Sequence, residues 1–279
     1  MTRVLVTGGD GQLGQCLKHA SSRFSEIEFF FEDINTLDIT SYSSLERYFS
    51  AQSPFDFCVN CAAYTNVDKA ESDKETAFKV NADGPKYLAQ LCKNFNVTLI
   101  HVSTDFVFDG KQTSPYKETD TPNPLGVYGA SKLQGERSIQ EFMDAYFIVR
   151  TSWLYSEYGN NFMKTMLRLS ETREEISVVS DQLGSPTYAG DLAEAILKII
   201  ADKMIHYGIY HYSNEGVVSW YDFAVEIFNH FNKQVVVKPI KTEDYPTAAK
   251  RPEYSVLETT KIEKEIETRI LNWKISLKK

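Results

Sequence analysis

The chain has 279 residues, 42% of them hydrophobic and 24% charged, which is typical of a globular protein with a sizeable core. Its formal charge of −8, with no long basic run, argues against nucleic-acid binding, because such binding needs a cationic face against phosphates. No stretch approaches the apolar length of a membrane span, and the first residues run straight into an apolar strand without a signal peptide. We therefore expect a cytoplasmic protein that binds neither nucleic acid nor membrane.

Short apolar runs alternate with helical patterns through the first half of the chain. Strands are predicted at Val4–Val6, Phe29–Phe31, Phe57–Val59, Leu99–Val102 and Phe147–Val149. One of the helical patterns between them covers Thr76–Phe95. The strands are apolar along their whole length, as expected when helices cover both faces of a parallel sheet. The pattern predicts an α/β fold with a doubly wound parallel sheet of the Rossmann type.

After about residue 150, strands and helices no longer alternate regularly. Helices are predicted at Asn161–Leu169, Gly190–Ile200 and Trp220–Phe231, and strands at Ser177–Val179, Ile209–Tyr212 and Val235–Val237. We assign these six elements to a smaller C-terminal lobe packed on the edge of the sheet. Residues 1–150 are accordingly expected to form the main domain, to which some later segments return, and residues 151–279 mainly the lobe.

A glycine-rich loop follows the first predicted strand and opens a helix. Gly8, Gly11 and Gly14 are spaced three apart, and Gln12 and Leu13 lie between the last two. Small residues let the chain turn tightly and let backbone N–H groups approach a pyrophosphate at the positive end of the helix. Placed between a first strand and a first helix, the loop predicts a dinucleotide site rather than a structural turn, so residues 1–150 would be the NAD(P)-binding domain.

An acidic residue near the end of the second strand is the next mark of such a site, because it can bind a ribose hydroxyl. Glu32 and Asp33 supply it, and we choose Asp33. A carboxylate there disfavours the extra phosphate of NADP, which taken alone favours NAD or dual use. Ligands bind beyond the carboxyl ends of parallel strands, so Asn60–Thr65, which ends the third strand, should line the cofactor crevice. The alternative is a mere tight turn. The remaining expected cofactor contacts are Asp38, Ile39, Ala63, Tyr64, Thr65, Val102 and Lys132.

Cys58 and Cys61 form a C-x-x-C pair, a spacing found in metal and redox sites. Side chains alternate faces along a strand, so residues three apart on one strand point to opposite sides. No second Cys or His pair completes a tetrahedral site. We therefore expect no metal.

Tyr128 and Lys132 lie four residues apart near the start of a predicted helix, so they share one helix face. A free tyrosine, with a pKa of about 10, is a poor acid at neutral pH. A lysine charge about 5 Å away, at an effective dielectric of about 20, would favour the phenolate by roughly 3 kcal/mol and lower the pKa by about two units. Such a pair suits general acid catalysis, although the same spacing also occurs on solvated helix faces.

Ser103, Thr104 and Asp105 end the fourth predicted strand. A hydroxyl at this point can hydrogen-bond a substrate carbonyl beside Tyr128. We choose Thr104 for that role and expect Ser103 to line the nicotinamide side. The alternative is a Ser/Thr pair that caps a turn.

Together these motifs resemble the extended short-chain dehydrogenase/reductase superfamily, and several longer strings resemble its dTDP-4-dehydrorhamnose reductase family. The strings span nearly the whole chain in order and are Val67–Ser72, Ser103–Gly110, Asn123–Lys132, Arg150–Trp153, Gly159–Phe162, Asp181–Thr187 and Arg251–Pro252. The resemblance implies hydride transfer from NADPH or NADH to C4 of dTDP-4-dehydro-L-rhamnose, the final step of dTDP-L-rhamnose synthesis, with residues 151–279 mainly as the substrate-binding lobe.

The resemblance also implies roles for single residues. Tyr128 would donate the proton, Lys132 would lower its pKa and hold the nicotinamide ribose, and Thr104 would orient the ketone. Asp105, Tyr128, Thr104 and Trp153 match positions that contact the sugar nucleotide, although Trp153 fits a core position equally well.

Two positions depart from the family pattern. Phe106 stands where relatives often have Tyr, which removes a hydroxyl contact. Some relatives form a metal-bridged dimer through acidic residues near the first helix, but Gln15 occupies that region here. We therefore carry over no metal and keep a homodimer as the assembly to test.

Two other functions remain open from the sequence. A sugar-nucleotide 4,6-dehydratase or 4-epimerase shares the superfamily motifs, but dehydratases typically follow the catalytic Thr with an Asp-Glu pair, and here Phe106 follows Asp105. The second alternative is a non-catalytic, NADP-binding regulatory subunit. The intact Tyr128 and Lys132 argue against it.

Overall fold

The computed structural model describes residues 1–279. The strands in chain order are β1 (Thr2–Thr7), β2 (Ile27–Glu32), β3 (Phe57–Asn60), β4 (Thr98–Thr104), β5 (Tyr146–Thr151), β6 (Leu154–Tyr155), β7 (Glu175–Val179), β8 (Leu183–Gly184), β9 (Thr187–Tyr188), β10 (Gly208–His211), β11 (Val218–Ser219) and β12 (Val236–Ile240). The α-helices are α1 (Gln12–Ser21), α2 (Tyr42–Gln52), α3 (Val67–Ala70), α4 (Lys74–Phe78), α5 (Gly84–Asn94), α6 (Val127–Phe142), α7 (Phe162–Ser170), α8 (Ala189–Ala201), α9 (Trp220–His230), α10 (Thr260–Glu265) and α11 (Trp273–Ser276). None of the helices is both long and apolar enough to cross a bilayer.

Six strands form one parallel sheet in the order β10-β5-β4-β3-β1-β2. Successive side chains of β1 enter different cores: Val4 and Val6 lie in one hydrophobic cluster and Leu5 in another. The two clusters cover the two faces of the sheet, which is why its strands are apolar at every position. The predicted α/β fold with a doubly wound Rossmann-type sheet is confirmed.

Two late elements belong to the main sheet rather than to the lobe. β10 pairs with β5 as the edge strand, and α8 packs against α1 with most of its residues in the same core cluster as Val4. Our assignment of the patterns Gly190–Ile200 and Ile209–Tyr212 to the smaller lobe is therefore wrong. A helix followed by a strand is the repeating unit of this sheet, so these two elements continue it after a long excursion.

The segment predicted as one helix over Thr76–Phe95 is α4 and α5 joined by a π-helical turn at Lys79–Asp83. This turn packs on α6, where a Cβ at Gly135 would overlap the carbonyl oxygen of Asn81. The extra residue of a π turn shifts the helix register and often marks a functional position. Here it brings Asn81 against the helix that carries Tyr128.

The remaining C-terminal elements form a smaller layer beside the carboxyl ends of the strands. β7 and β12 pair in parallel, and α7 and α9 pack on each other. Their shared core is rich in large side chains, among them Phe223, Phe228 and Trp273. The strand predicted at Val235–Val237 begins one residue later, at Val236, and runs to Ile240.

The C-x-x-C cysteines lie on opposite sides of the sheet. Cys58 belongs to the core cluster that contains Leu5, whereas Cys61, just beyond β3, packs against the cluster that contains Val4. All four cysteines are free thiols. The pair therefore contributes to two separate cores.

Candidate active site

The carboxyl ends of β1, β3, β4 and β5 lie side by side in the parallel sheet. The residues that directly follow these strands are Gly8, Cys61, Asp105 and Ser152. This is the edge at which open α/β sheets bind their ligands. The structure thus brings the glycine-rich loop and the predicted catalytic residues to one edge.

The glycine-rich loop has no room for side chains. Gly8 has a φ of +70°, and a Cβ there would lie 2.6 Å from the backbone nitrogen of Ala62. A Cβ at Gly14 would lie 2.6 Å from the carbonyl oxygen of Gly9 and closer still to that of Gly8. Glycine at these two positions allows β1, α1 and the segment after β3 to approach one another.

The N-terminus of α1 has free hydrogen-bond donors. Gly11 caps the helix without a side-chain acceptor, and no acidic residue lies in the first turn. The first N–H groups of a helix lack intrahelical partners and carry partial positive charge, so they suit an anion such as a pyrophosphate. The Gln12 side chain accepts a hydrogen bond of 2.7 Å from Asn161 at the start of α7, which joins this end of the main domain to the lobe.

Asp33 is the acidic residue that contacts the loop. Its carboxylate accepts a hydrogen bond of 3.0 Å from the backbone N–H of Asp10. Glu32, by contrast, accepts one of 2.7 Å from the Tyr48 hydroxyl. No basic side chain forms a salt bridge with Asp33.

The other predicted cofactor residues differ in their surroundings. Asp38 accepts two hydrogen bonds of 2.8 Å from Thr40, and the Ile39 side chain lies in the core, 4% exposed. Tyr64 is clamped by Asn81, which accepts from its backbone N–H at 2.8 Å and donates to its carbonyl oxygen at 3.0 Å. Thr65, beside it, is exposed, and Ala63 is half-buried.

The start of α6 is held by a side chain from another element. The Glu71 carboxylate, just after α3, accepts a 2.7 Å hydrogen bond from the backbone N–H of Val127. A Cβ at Gly126 would lie 2.6 Å from the same carboxylate, so glycine leaves the space that Glu71 needs. A carboxylate at a helix N-terminus also interacts favourably with the helix dipole. This contact fixes the turn that presents Tyr128.

Tyr128 lies beside Thr104 and Phe106. Its ring meets that of Phe106 edge to face, with centroids 5.6 Å apart. Burial, and to a smaller extent the nearby Asp105 carboxyl, raises the pKa of Tyr128 to about 12, although the neighbouring Thr104 hydroxyl acts to lower it. The predicted lowering of the phenol pKa by Lys132 is not found in this structure, because the effect of burial dominates and the net shift is upward.

Lys132 is 2% exposed and reaches back to the sheet. Its Nζ donates to the carbonyl oxygen of Val102 at 2.7 Å and lies 3.4 Å from Nε2 of His101. Burial lowers the pKa of this lysine to about 8, although Glu136 and Cys61 act to raise it. Val102, predicted as a cofactor contact, holds the lysine through its backbone.

Asp105 is a buried carboxyl with a free oxygen. It is 2% exposed; Oδ1 accepts a hydrogen bond of 3.1 Å from the Thr104 hydroxyl, and Oδ2 has no partner. Burial raises its pKa to about 6. A buried polar atom without a partner is costly, so Oδ2 is suited to a hydrogen bond from a ligand hydroxyl.

Ser103, predicted to line the nicotinamide side, hydrogen-bonds to a buried carboxylate of α6. Its hydroxyl donates to Glu136, which also forms a 2.7 Å ion pair with Arg150. Both charged side chains are 2% exposed or less. Ser103 therefore bonds to the same helix, α6, that carries Tyr128.

A small cleft opens between the sheet edge and the lobe. It is lined by Phe106, Trp153, Gln182, Trp220, Arg251, Pro252 and Ser255. The Trp153 and Trp220 rings stack with centroids 3.5 Å apart, and Trp153 has a φ of +47°. A non-glycine residue in this backbone region is unusual and often marks a functional site. Trp153 is half-buried, and its ring lines the cleft.

Arg251 brings a positive charge to this cleft. It forms a two-pronged ion pair with Asp68, with nitrogen–oxygen distances of 2.7 and 3.1 Å. Its side chain remains 25% exposed.

Four residues have structural roles at this site that the sequence does not indicate: Asn60, which was predicted only to line the cofactor crevice, Asn81, His101 and Glu136. Each acts through a long-range hydrogen bond to another element, at sequence separations of 14 to 53 residues. Glu136 follows Lys132 by four residues, so helix periodicity could have placed it on the Tyr128 face. No pattern in the sequence marks the other three.

Several known proteins are similar to this chain over nearly its whole length. The family model described as RmlD substrate binding domain matches residues 1–279. A dTDP-4-dehydrorhamnose reductase of Aggregatibacter actinomycetemcomitans is 44% identical over all of this chain and 98% of its own length. A counterpart from Escherichia coli (strain K12) is 36% identical over 99% of this chain and 96% of its own length.

Solved structures give the same result. The dTDP-4-dehydrorhamnose reductase of Bacillus anthracis, in complex with NADP, has a TM-score of 0.95 and 42% identity over 99% of this chain and 98% of that one. A Thermus thermophilus UDP-glucose 4-epimerase in complex with NAD has a TM-score of 0.83 at 20% identity, over 99% of this chain and 97% of that one, which supports the fold alone. The chain therefore belongs to the RmlD substrate-binding-domain family, which includes these dTDP-4-dehydrorhamnose reductases.

Proposed function

We propose that this protein is an NAD(P)H-dependent reductase that converts dTDP-4-dehydro-L-rhamnose to dTDP-L-rhamnose, the final step of dTDP-L-rhamnose synthesis. The observation that carries the proposal is the contact between the Thr104 hydroxyl and the Tyr128 phenol at the ligand-binding edge of the sheet. Two hydroxyls side by side can bind one carbonyl oxygen and supply its proton.

The residues present fit a dinucleotide. The free N–H donors of α1 suit the pyrophosphate, and Asp33 lies against the loop where it can accept from a ribose hydroxyl. When bound, NADPH or NADH supplies the hydride that reduces the ketone. Lys132, buried beneath Tyr128, is the residue that would hold the nicotinamide ribose.

Tyr128 acts as the proton donor. A phenol whose pKa is about 12 is fully protonated at neutral pH, so the proton is present when the substrate arrives. It is also a stronger acid than an aliphatic alcohol, so transfer to the oxygen that develops alkoxide character is favourable. The Thr104 hydroxyl, which donates to Asp105 Oδ1 in this structure, would turn to the ketone oxygen and so align the ketone with the phenol.

The cleft beside these groups suits a nucleotide-linked deoxysugar. The stacked Trp153 and Trp220 offer a flat apolar surface, and Arg251 offers a positive charge for a diphosphate. The free oxygen of Asp105 can accept from a sugar hydroxyl. The edge-to-face contact of Phe106 with Tyr128 fills the position that a dehydratase needs for an acidic residue.

The test is to mix the protein with dTDP-4-dehydro-L-rhamnose and NADPH, then NADH, and to follow the absorbance of the reduced cofactor. We expect oxidation of at least one cofactor in proportion to the sugar added. An epimerase retains its cofactor and would show no net oxidation. A regulatory subunit would bind NADPH without consuming it. Either result contradicts the proposal.

A further inference from the structure

A buried row of polar side chains leads from β1 to Lys132. Thr7 Oγ1 lies 2.8 Å from Asn60 Oδ1, and Asn60 Nδ2 lies 3.0 Å from His101 Nδ1. His101 Nε2 is in turn 3.4 Å from Lys132 Nζ. All four residues are 2% exposed or less. Bulk water does not reach the row, so its members must satisfy one another.

The orientation of the Asn60 amide is fixed by a backbone group. The N–H of Ala62 points at one of its two terminal atoms, at 3.1 Å. A backbone N–H can only donate, so that atom must be the carbonyl oxygen. The other atom, which faces His101, is therefore the NH₂ group.

The amide in turn fixes the tautomer of His101. Because the Asn60 NH₂ group donates to Nδ1, that ring nitrogen carries no proton. Burial, and secondarily the charge of Lys132, lowers the pKa of His101 well below its ordinary value, so the ring is neutral. A neutral ring without a proton on Nδ1 carries it on Nε2.

The Nε2–H group of His101 therefore faces Lys132. The lysine nitrogen already donates to the Val102 carbonyl oxygen. A neutral amine can accept from Nε2–H with its lone pair, whereas an ammonium has only donors and would oppose it. The contact thus favours the amine over the ammonium.

We propose that His101 is a positioning residue that controls the protonation of Lys132, with Asn60 holding the imidazole in the Nε2–H tautomer that faces the lysine nitrogen. Only the catalytic consequence of this arrangement rests on the proposed function. In catalysis, a lysine that releases and regains its proton near neutral pH can restore the proton that Tyr128 gives to the substrate.

The other ionisable groups around Lys132 either favour its ammonium form or are uncharged. Glu136, four residues on along α6, and Cys61, beyond β3, both favour the ammonium. The ion pair of Glu136 with Arg150 weakens that effect. Tyr128, four residues before, is an uncharged phenol at neutral pH. His101 is the group that opposes Glu136 from the sheet side.

The test is ¹⁵N NMR of the full chain labelled at its five histidines, with the His101 signals assigned by their loss in His101→Gln. From about pH 6 to about pH 9 we expect His101 to remain neutral with the proton on Nε2. Its Nε2 signal should nevertheless shift with a midpoint near pH 8 as Lys132 titrates, and this shift should be absent in Lys132→Met. The proposal is overturned if His101 carries its proton on Nδ1 or is an imidazolium in this pH range. It is also overturned if the Nε2 signal does not shift with pH, or shifts in the same way in Lys132→Met.

A variant pair tests the part played by Asn60. In Asn60→Asp, a carboxylate oxygen replaces the NH₂ group, so we expect the proton to move to Nδ1 and the Lys132 midpoint to rise by at least about one pH unit. Thr7→Val is the matched control, because Ala62 still orients the amide, and it should keep the Nε2–H tautomer. The proposal fails if Asn60→Asp leaves the tautomer unchanged, or if Thr7→Val changes it. None of these measurements requires substrate, so they stand apart from the test of the reductase activity.

Discussion

The two halves of the cleft are built in different ways. On the cofactor half, the recognition surface is backbone: Gly8 and Gly14 allow close approach, and the N–H groups of α1 are the donors. On the sugar half, the surface is made of side chains from distant segments, with Trp153 stacked on Trp220 and Arg251 paired with Asp68.

The difference shows what each half depends on. A backbone surface tolerates changes of side-chain chemistry but no added volume, because a Cβ at Gly14 would overlap carbonyl oxygens. A side-chain surface tolerates changes of volume better than the loss of a charge. Tyr128 and Thr104 lie where the two halves meet, and the neighbouring Ser103 donates to Glu136 of the buried ion pair with Arg150.

The largest effect is expected from breaking the buried ion pair of Glu136 and Arg150. Glu136→Gln leaves Arg150 without a counter-charge and should lower the free energy of unfolding by about 4 kcal/mol, measured by urea denaturation. The double variant Glu136→Gln/Arg150→Met is the control and should recover part of that loss. If the single variant is as stable as the parent protein, this pair does not stabilise the region where the two halves meet.

Asp105 gives the next effect, on the pH dependence of stability. Its pKa rises from an ordinary 3.8 to about 6 on folding, so the native state favours the protonated carboxyl. The stabilisation is complete below pH 3.8 and is lost as the pH rises through about 6. Asp105→Asn should remove this loss and gain up to about 3 kcal/mol over the parent protein above pH 6, with no gain at low pH. An equal gain at both extremes would contradict the burial argument.

Adding one carbon tests the backbone half. Gly14→Ala should weaken NADPH binding about 30-fold, equivalent to about 2 kcal/mol, because the loop must move away from the added Cβ. Gly11→Ala is the matched control, since its Cβ would lie 3.2 Å from the Gly8 carbonyl oxygen and needs only a small shift. Calorimetric titration measures both. Equal losses in the two variants would mean that loop volume is not the deciding property.

Removing one charge tests the side-chain half and has the smallest effect. Arg251→Met should weaken dTDP binding about tenfold, or by about 1.4 kcal/mol, and leave NADPH affinity unchanged. Asp68→Asn keeps the cation and serves as the control for the loss of the ion pair. If Arg251→Met binds dTDP as tightly as the parent protein, the sugar half does not depend on this charge.

The cofactor half could be predicted from the sequence because it is local. Gly8, Gly11 and Gly14 lie close together in the sequence, between the end of β1 and the first turn of α1. Their spacing is typical of a strand, a tight turn and a helix in a dinucleotide site. The same holds for Tyr128 and Lys132, which one helix turn brings together.

The rest depends on contacts between distant segments. Nothing in the sequence places His101 against Lys132, or the hydroxyl of Ser103 against Glu136. The direction of the Tyr128 pKa was missed for the same reason, because the sequence gives the spacing to Lys132 but not the burial that outweighs it. Likewise, β10 was assigned to the lobe because strand partners are set by the tertiary fold.

Tyr128→Phe tests whether Tyr128 is the proton donor of a reductase. The change removes one oxygen and keeps the ring that packs on Phe106. We expect the rate of NADPH oxidation with dTDP-4-dehydro-L-rhamnose to fall about 1,000-fold while the Kd for NADPH stays the same. A Phe variant that oxidises NADPH at the parent rate would contradict the account.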